Sequence, residues 1–488
     1  MPADSEVVQR NARHCAERGI LLPTFAQLRQ PELIPAKVKS ELKNIGLWEV
    51  HPLNLFRISW KNDHQTGQYG GVNFLEIPRE LSGVMCRIVG LVGKFFPTGA
   101  HKVGATYGCL APRLVEGTFD PARHKAVWPS TGNYCRGGAY NSALLGCKSI
   151  AILPEQMSRE RFDWLKSIGS EIFATPGCES NVKEIYDKCW ELKNSDPDVV
   201  VLNQFDEFGN GMYHYAVTAE AVAELYEQLC GNSQRIFAWV SATGSAGTLA
   251  AGDRLKELYP WLKIVASEAL QCPTLLENGF GAHRIEGIGD KHVPWIHNVR
   301  NTDMVVAIDD AAPMALIRLF NEPAGRAFLL RQGLREELVS RLELLGISGI
   351  ANLLAAIKVA RWYELDDGDV IFTVFTDSME LYQSRLLEAR EKQGEYDERQ
   401  AALDWHLHLR SLKTDSMLEL DQPARRRIHN LKYYTWIEQQ KKDIEELQAQ
   451  WYDWRTYWPE RFGRADHYDQ LIEKFNQSSG MAERFAGE

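Results

Sequence analysis

The most informative stretch of this sequence is Pro97-Thr98-Gly99-Ala100-His101-Lys102-Val103-Gly104-Ala105. It places a lysine in a loop just past the apolar run 88–92, which is typical of a buried strand. Three further segments follow in order: Ser130-Thr131-Gly132-Asn133, Thr243-Gly244-Ser245-Ala246-Gly247-Thr248 and Thr376-Asp377-Ser378. Each also follows an apolar run of strand length, so all four motifs are expected in loops that leave strands.

Strand-sized apolar runs alternate with amphipathic stretches between residues 81 and 390. Runs such as 149–153, 235–240 and 370–375 are almost wholly apolar, which is typical of parallel strands covered on both faces. In the stretches between them, apolar residues such as Phe162, Leu165 and Ile168 recur at helical spacing. This alternation predicts an α/β core with parallel sheets flanked by helices.

The two ends of the chain differ from this core. Residues 1–80 are mixed and polar and predict an N-terminal arm with short helices and strands, including Leu47-Trp48-Glu49-Val50. Residues 391–488 are charged and rich in tryptophan and tyrosine, which predicts a helical C-terminal extension packed by aromatic side chains. Within it, residues 432–458 are expected to form one long helix or a helix pair.

Composition restricts the function classes. A net charge of -10 argues against a nucleic-acid partner, and no stretch approaches the roughly 20 apolar residues of a membrane span. The acidic N-terminus does not resemble a secretory signal, so we expect a cytoplasmic protein. The nine cysteines contain no CxxC pair, which predicts reduced thiols and no metal site.

The first two motifs carry groups that a pyridoxal-phosphate (PLP) enzyme needs. The amine of Lys102 can hold the cofactor aldehyde as a Schiff base and later act as a general base or acid. Ser130, Thr131 and Gly132 lie at a strand-to-helix junction, whose backbone N–H groups suit a substrate carboxylate. Asn133 can donate a hydrogen bond to the phenolic oxygen of the cofactor. A surface lysine and an ordinary helix cap are the simpler interpretations of each motif alone.

The other two motifs suit the remaining ends of the same cofactor. The loop Thr243-Gly244-Ser245-Ala246-Gly247-Thr248 combines small residues with hydroxyls, as a phosphate site requires. It lacks the lysine of a P-loop and the spacing of a dinucleotide fingerprint. The hydroxyl of Ser378 can bond an unprotonated pyridine nitrogen, and Asp377 is a competing candidate. The fixed order of the four motifs is what favours a PLP enzyme over four unrelated loops.

With these motifs, residues 84–386 resemble the cysteine synthase and cystathionine β-synthase family, also called fold type II or tryptophan-synthase-β-like PLP enzymes. Five further stretches are similar to family segments: Leu153-Pro154-Glu155-Gln156-Met157-Ser158-Arg159-Glu160-Arg161, Leu165-Lys166-Ser167-Ile168-Gly169, Asn203-Gln204-Phe205-Asp206, Glu286-Gly287-Ile288-Gly289 and Gly346-Ile347-Ser348-Gly349. The resemblance implies a core of two intertwined α/β subdomains and a homodimer. It implies that Lys102 is the catalytic lysine and that Gly289 belongs to the substrate site. It also implies the cofactor contacts given above for Asn133, Thr243, Gly244, Ser245, Ala246, Gly247, Thr248 and Ser378.

The sequence departs from the family pattern around the expected pocket. His101 precedes the lysine, and Gly104 stands where an arginine is expected. Tyr134 and Cys135 replace a small residue and a glycine, and His292 follows the Gly289 segment. We expect His101, Tyr134 and His292 either to shape the pocket or to serve only in packing. These differences leave the substrate open and favour a lyase.

The resulting prediction is a PLP-dependent lyase or β-replacement enzyme that acts on a polar amino acid through an aminoacrylate intermediate. The alternatives are a cysteine or cystathionine synthase, a threonine or serine dehydratase, and a non-catalytic partner protein that keeps the fold. The expected ligands are PLP and a small amino acid, with no metal, nucleic acid or membrane.

Overall fold

The computed structural model describes residues 5–130, 132–230, 233–288 and 291–486. Eleven strands form two sheets. The strands are β1 Phe74–Ile77, β2 Arg87–Val92, β3 Lys125–Pro129, β4 Lys148–Pro154, β5 Glu171–Thr175, β6 Val199–Val201, β7 Arg235–Ala242, β8 Lys263–Ala269, β9 Met304–Ile308, β10 Asp369–Phe375 and β11 Met417–Glu419.

The larger sheet has seven strands in the order β1-β2-β10-β7-β8-β9-β11, and the smaller has four in the order β5-β4-β3-β6. The smaller sheet and the five central strands of the larger one are parallel. Every residue of β10 is buried, which explains its unbroken apolar sequence, because helices cover both faces. The predicted α/β class is therefore confirmed. The antiparallel edge strands β1 and β11 were not predicted.

Helices cover the sheets and form both ends of the chain. The N-terminal region contains α1 Ser5–Arg18, α2 Phe25–Arg29 and α3 Ala36–Leu42. The core contains α4 Arg79–Ser82, α5 Lys102–Val115, α6 Asn133–Leu144, α7 Arg159–Ser167, α8 Val182–Ser195, α9 Phe208–Tyr213, α10 Ala219–Leu229, α11 Leu249–Leu258, α12 Thr274–Glu277, α13 Ala311–Asn321, α14 Pro323–Arg331, α15 Glu336–Arg341, α16 Ile347–Trp362 and α17 Gln383–Gln393. The C-terminal region contains α18 Glu398–Trp405, α19 Gln422–Lys432, α20 Ile444–Tyr452, α21 Trp454–Phe462, α22 Ala465–Ser478 and α23 Met481–Phe485.

The N-terminal region has no strand at 47–50, where the sequence predicted one. The backbone turns there instead, with the Glu49 N–H donating to the Gly46 carbonyl at 3.1 Å. The Glu49 carbonyl accepts from the Asn54 side chain at 2.7 Å. Local bonds thus occupy backbone groups that a strand would need for pairing, so the prediction was wrong at this point.

The C-terminal region is helical, as predicted, but 432–458 is not one continuous helix. A π-helical segment, Tyr433–Gln439, follows α19, and Lys441 then adopts φ 58, which ends the helix before α20 begins. Strand β11 from this region pairs with β9 at the edge of the larger sheet. The extension is thereby joined to the core, and the domain boundaries at 80/81 and 390/391 stay predictions.

Two observations bear on the composition arguments. All nine cysteines carry free thiols. In the described part of the chain no single helix is both long and apolar enough to cross a bilayer, although the segments Glu336–Leu344 and Ile347–Trp362, bent by 117°, pass the same test together.

Candidate active site

The four sequence motifs meet at one cleft, at the carboxyl ends of strands from both sheets. Ser130 follows β3 of the smaller sheet, while Gly244 and Thr376 follow β7 and β10 of the larger one. Lys102 reaches the same cleft from the first residue of α5. The carboxyl ends of parallel strands are the usual ligand site of α/β proteins, so this position agrees with the sequence prediction.

The Lys102 amine lies directly opposite the predicted phosphate loop. Its Nζ donates to Ser245 Oγ at 2.7 Å, across 143 residues of sequence. Burial lowers the pKa of Lys102 to about 8, and this shift is partly opposed by Cys109 and Glu179. A lysine with this pKa is neutral in a substantial fraction of molecules near pH 8, as a nucleophile or general base must be.

The predicted phosphate loop connects β7 to α11 and is held by a buried asparagine. Asn210 Nδ2 donates to Ser245 Oγ at 3.0 Å, and a Cβ on Gly247 would lie 2.1 Å from Asn210 Oδ1. Only glycine fits at 247 for this reason. Ala246 adopts φ 61, a left-handed conformation that costs an L-residue roughly 1–2 kcal/mol. The loop is therefore tightly built, and it ends at the N-terminus of α11, where backbone N–H groups favour an anion.

The predicted substrate loop is equally constrained. Ser130 Oγ accepts from the Gly132 N–H at 3.0 Å, and Gly132 adopts φ 149. A Cβ on Gly132 would meet Arg161 Nη1 at 2.0 Å, which excludes any larger residue. Helix α6 begins directly afterwards at Asn133. Thr131 and Gly289 lie outside the described residues.

The residues of the last motif, Thr376-Asp377-Ser378, do not all face the cleft at the end of β10. Thr376 lines the cleft, whereas Ser378 is buried and is not among the residues that line it. The Asp377 carboxylate points into a buried network, where it accepts from Asn133 Nδ2 at 2.6 Å and from the Tyr382 hydroxyl at 2.7 Å. Burial raises the pKa of Asp377, against the effect of nearby Arg161.

Arg161 anchors this network, although we predicted no role for it. Its guanidinium lies 3.3 Å from Glu286, 3.9 Å from Asp377 and 2.8 Å from the Tyr382 hydroxyl. The Glu286 carboxylate also pairs with Arg385, whose Nε lies 2.7 Å from Glu286 Oε1. The ion pairs link α7 to the 286–288 segment and the end of β10, and the latter two contribute residues to the cleft. The Met157-Ser158 stretch before Arg161 resembles a family segment, but that resemblance alone does not reveal a buried ion pair.

The residues that depart from the family pattern lie in different places relative to the cleft. His101 and Tyr134 line the cleft, whereas His292 bonds the Tyr186 hydroxyl at 2.9 Å and packs against Trp436. A Cβ on Gly104 would lie 2.1 Å from the Tyr213 ring. The space that a larger side chain would need at this position is thus filled by an aromatic ring.

Gln204, in the stretch 203–206 that resembles a family segment, lines the cleft. Two other residues carried no signal that we recognised in the sequence. Glu179 lines the cleft, and its Oε1 atom accepts from the Gly287 N–H at 2.9 Å. Asn210 supports the phosphate loop from α9. Neither of these two lies within a motif that points to chemistry, because their role depends on how the chain folds back on itself.

Comparison with known proteins identifies the family. Residues 92–329 match the family described as "Pyridoxal-phosphate dependent enzyme". Cysteine synthase of Staphylococcus aureus (strain Mu50) is 32% identical over 292 residues, which cover 60% of this chain and 86% of that protein. The chain belongs to this family of PLP-dependent enzymes. Cystathionine β-synthase of Apis mellifera is 28% identical over 302 residues, 60% of this chain and 55% of that protein.

Solved structures of the family share the fold. The O-acetylserine-dependent cystathionine β-synthase of Helicobacter pylori superimposes with a TM-score of 0.54 at 23% identity, covering 64% of this chain and 94% of that one. The predicted fold type, cofactor and enzyme class, a PLP-dependent lyase or β-replacement enzyme, are thereby confirmed.

The residues of the cleft fit PLP. Its buried side chains include polar atoms that have no hydrogen-bond partner among the described residues: both ring nitrogens of His101 and the Oδ1 atom of Asn133. Buried polar atoms are almost always satisfied in proteins, so unsatisfied ones beside Lys102 indicate a polar ligand. Because Asn133 Nδ2 donates to the Asp377 carboxylate, Oδ1 is the Asn133 side-chain atom that is free to face that ligand.

Proposed function

We propose that this enzyme acts on a serine-type α-amino acid that carries a leaving group on its β-carbon, and replaces that group with a sulfur nucleophile. The observation that carries the proposal is the partly desolvated Lys102 amine, 2.7 Å from the hydroxyl of a phosphate-sized loop. The similarity to cysteine synthase, which extends over 86% of that protein, favours replacement of the β-substituent over its simple elimination.

The residues that would hold PLP follow from the cleft. Lys102 would bond the aldehyde, and Thr243, Gly244, Ser245, Ala246, Gly247 and Thr248 would surround the phosphate at the N-terminus of α11. Asn133 would meet the phenolic oxygen. Ser378 remains our candidate for the pyridine nitrogen, and Thr376 competes with it because it lines the cleft. When bound, PLP supplies an electron sink that acidifies the substrate Cα–H.

Different protein groups would bind the substrate and move its proton. The N-terminus of α6, with Ser130, Thr131 and Gly132, would bind the substrate carboxylate, and Gly289 would border the substrate. Once the substrate has displaced it, the Lys102 amine would take the Cα proton. Its pKa of about 8 suits a base that must accept and return a proton near neutral pH. The β-substituent would leave with its bonding electrons, and a thiol or sulfide would add at the β-carbon.

A product assay separates this function from its rivals. With O-acetylserine and sulfide, we expect acetate release to be matched by cysteine formation. Keto acid and ammonia released in place of cysteine would identify a lyase, and keto acid formed from serine or threonine would identify a dehydratase. Failure to release acetate or keto acid from any of these amino acids would contradict the proposal.

The lowered pKa of Lys102 gives a pH prediction. Only the neutral amine can bond the cofactor aldehyde, and the neutral fraction rises as the pH increases through about 8. In protein stripped of PLP, the rate of covalent attachment should therefore rise between about pH 6.5 and 9 and then level off. Absorbance of the attached cofactor follows the rate. A rate that still increases tenfold for each pH unit above about pH 9 would indicate an ordinary lysine.

We further propose that the enzyme is a cytoplasmic homodimer, as the family resemblance implies. Sedimentation of the purified holoenzyme tests the dimer, and a monomer at micromolar concentration would contradict it.

A further inference from the structure

The C-terminal region contains a second cleft, of about 300 Å³, which the proposed function does not use. It lies between α19, the π-helical segment after it, and α20. Its walls combine aromatic and apolar side chains with a few polar ones: Arg426, His429, Asn430, Tyr433, Tyr434, Ile444, Leu447, Gln448, Trp451 and Tyr452. This volume lies at the lower end of the range of small-molecule sites, about 300–1,000 Å³.

The aromatic rings of this cleft are unusually exposed. Tyr434 and Tyr452 are 59% and 65% exposed, and the two tyrosines 433 and 434 stand edge to face with centroids 5.8 Å apart. Trp451 forms the buried part of the wall. Exposed ring faces above a buried indole are a stacking surface for a planar ligand.

Arginine side chains that have no carboxylate partner among the described residues contact these aromatic rings. Arginine and aromatic side chains alternate in a ladder with cation-to-ring distances of 4.7–5.4 Å, in the order Arg455, Trp454, Arg300, Trp451, Arg426, Tyr452. The last three of these line the cleft, and the first three continue the ladder beyond it. None of the three arginines makes an ion pair within the described residues. In a protein of net charge -10, this local excess of guanidinium groups favours an anionic ligand.

Two side-chain amides also line this cleft, beside the aromatic rings and the arginine. Asn430 and Gln448 line the cleft, and neither makes a side-chain hydrogen bond to any residue that the structure describes. An amide group offers a donor and an acceptor side by side, which matches the edge of a purine ring. In the described lining no side chain is acidic. The Arg426 guanidinium donates to the Tyr452 hydroxyl at 3.0 Å and has no carboxylate partner among the described residues. The ring faces, the amides and this guanidinium thus correspond to the base, the base edge and the phosphate of one ligand class.

We infer that this cleft binds a purine nucleoside phosphate, with the base stacked on the tyrosines and the phosphate on Arg426. The site would not be isolated from the active cleft. Trp436, in the π-helical segment, donates to the Val293 carbonyl at 2.8 Å, and Lys432 Nζ donates to the Trp295 and His297 carbonyls. This 293–297 stretch lies a few residues beyond Gly287, which lines the active cleft.

The test is isothermal titration calorimetry, in which the holoenzyme is titrated separately with AMP, adenosine and inorganic phosphate. We expect AMP to bind saturably and about tenfold or more tightly than adenosine or phosphate alone, because it engages both the rings and the guanidinium. Arg426→Gln should weaken AMP about tenfold and leave adenosine unchanged, whereas Tyr434→Ala should weaken both. Arg455→Gln is the matched control, since Arg455 is an unpaired arginine of the same ladder that does not line the cleft.

Several results would overturn the inference. They are absence of saturable AMP binding, equal losses in Arg426→Gln and Arg455→Gln, or an oligonucleotide that binds more tightly than AMP at the same sites. A change from dimer to monomer in Tyr434→Ala would show instead that a second copy of the chain covers the cleft. Because binding is measured without turnover, none of these results depends on the proposed reaction.

Discussion

Replacing Lys102 by alanine should reduce turnover by a factor of about 10³ or more, because the variant loses both the covalent attachment point and the proton acceptor. The fold should persist, since within the described residues the Lys102 amine makes one hydrogen bond, to Ser245 Oγ. The measurement is the rate of product formation with O-acetylserine and sulfide, together with circular dichroism to confirm folding. Alanine at this position leaves the helix start of α5 intact, as its helix propensity is higher than that of lysine.

The control for this variant is Lys166→Ala, which removes an exposed lysine of α7. It should keep its activity within about twofold, as surface substitutions usually do. Borohydride reduction of the wild-type holoenzyme, followed by peptide mapping, should place the cofactor label on Lys102. A label on another lysine, or full activity in Lys102→Ala, would contradict the assignment.

Replacing Arg161 by methionine should lower the free energy of unfolding by about 3–5 kcal/mol, the usual cost of breaking a buried ion pair from one side. Arg161 is fully buried, and its loss would leave Asp377 without a cation within 4 Å among the described residues. Glu286 would keep Arg385, so the greater part of the cost should fall on Asp377. Urea unfolding monitored by fluorescence gives the free energy.

A matched exposed pair provides the comparison. Arg331 and Glu398 lie 2.8 Å apart with side chains 51% and 68% exposed, and Arg331→Met should cost about 1 kcal/mol or less. Arg161→Lys should recover only part of the loss, because an ammonium cannot reproduce the contacts of the planar guanidinium. Equal costs for Arg161→Met and Arg331→Met would show that the buried network does not stabilise the site.

Much of the active site was predictable because its motifs are local. Each consists of a strand end, a loop of small residues and a helix start, and sequence spacing alone determines such units. Lys102, Asn133 and four residues of the 243–248 loop, Gly244, Ser245, Ala246 and Thr248, line the cleft, whereas Thr243 and Gly247 do not. Ser378 does not line it either, because residues next to each other at a strand end point in different directions. Thr376 lines the cleft, while the Asp377 side chain joins the buried ion network.

The sequence by itself determined the cofactor class, the parallel α/β core and the order of the site loops, because hydrophobic periodicity and loop chemistry are short-range properties. Only the tertiary structure decided which of these loops touch. Lys102 meets Ser245 across 143 residues, and Asn133 meets Asp377 across 244. It also decided that β11 joins the sheet and that the extension forms a cleft of its own. Such contacts depend on sheet order and on the closing of long loops, and no local pattern encodes either.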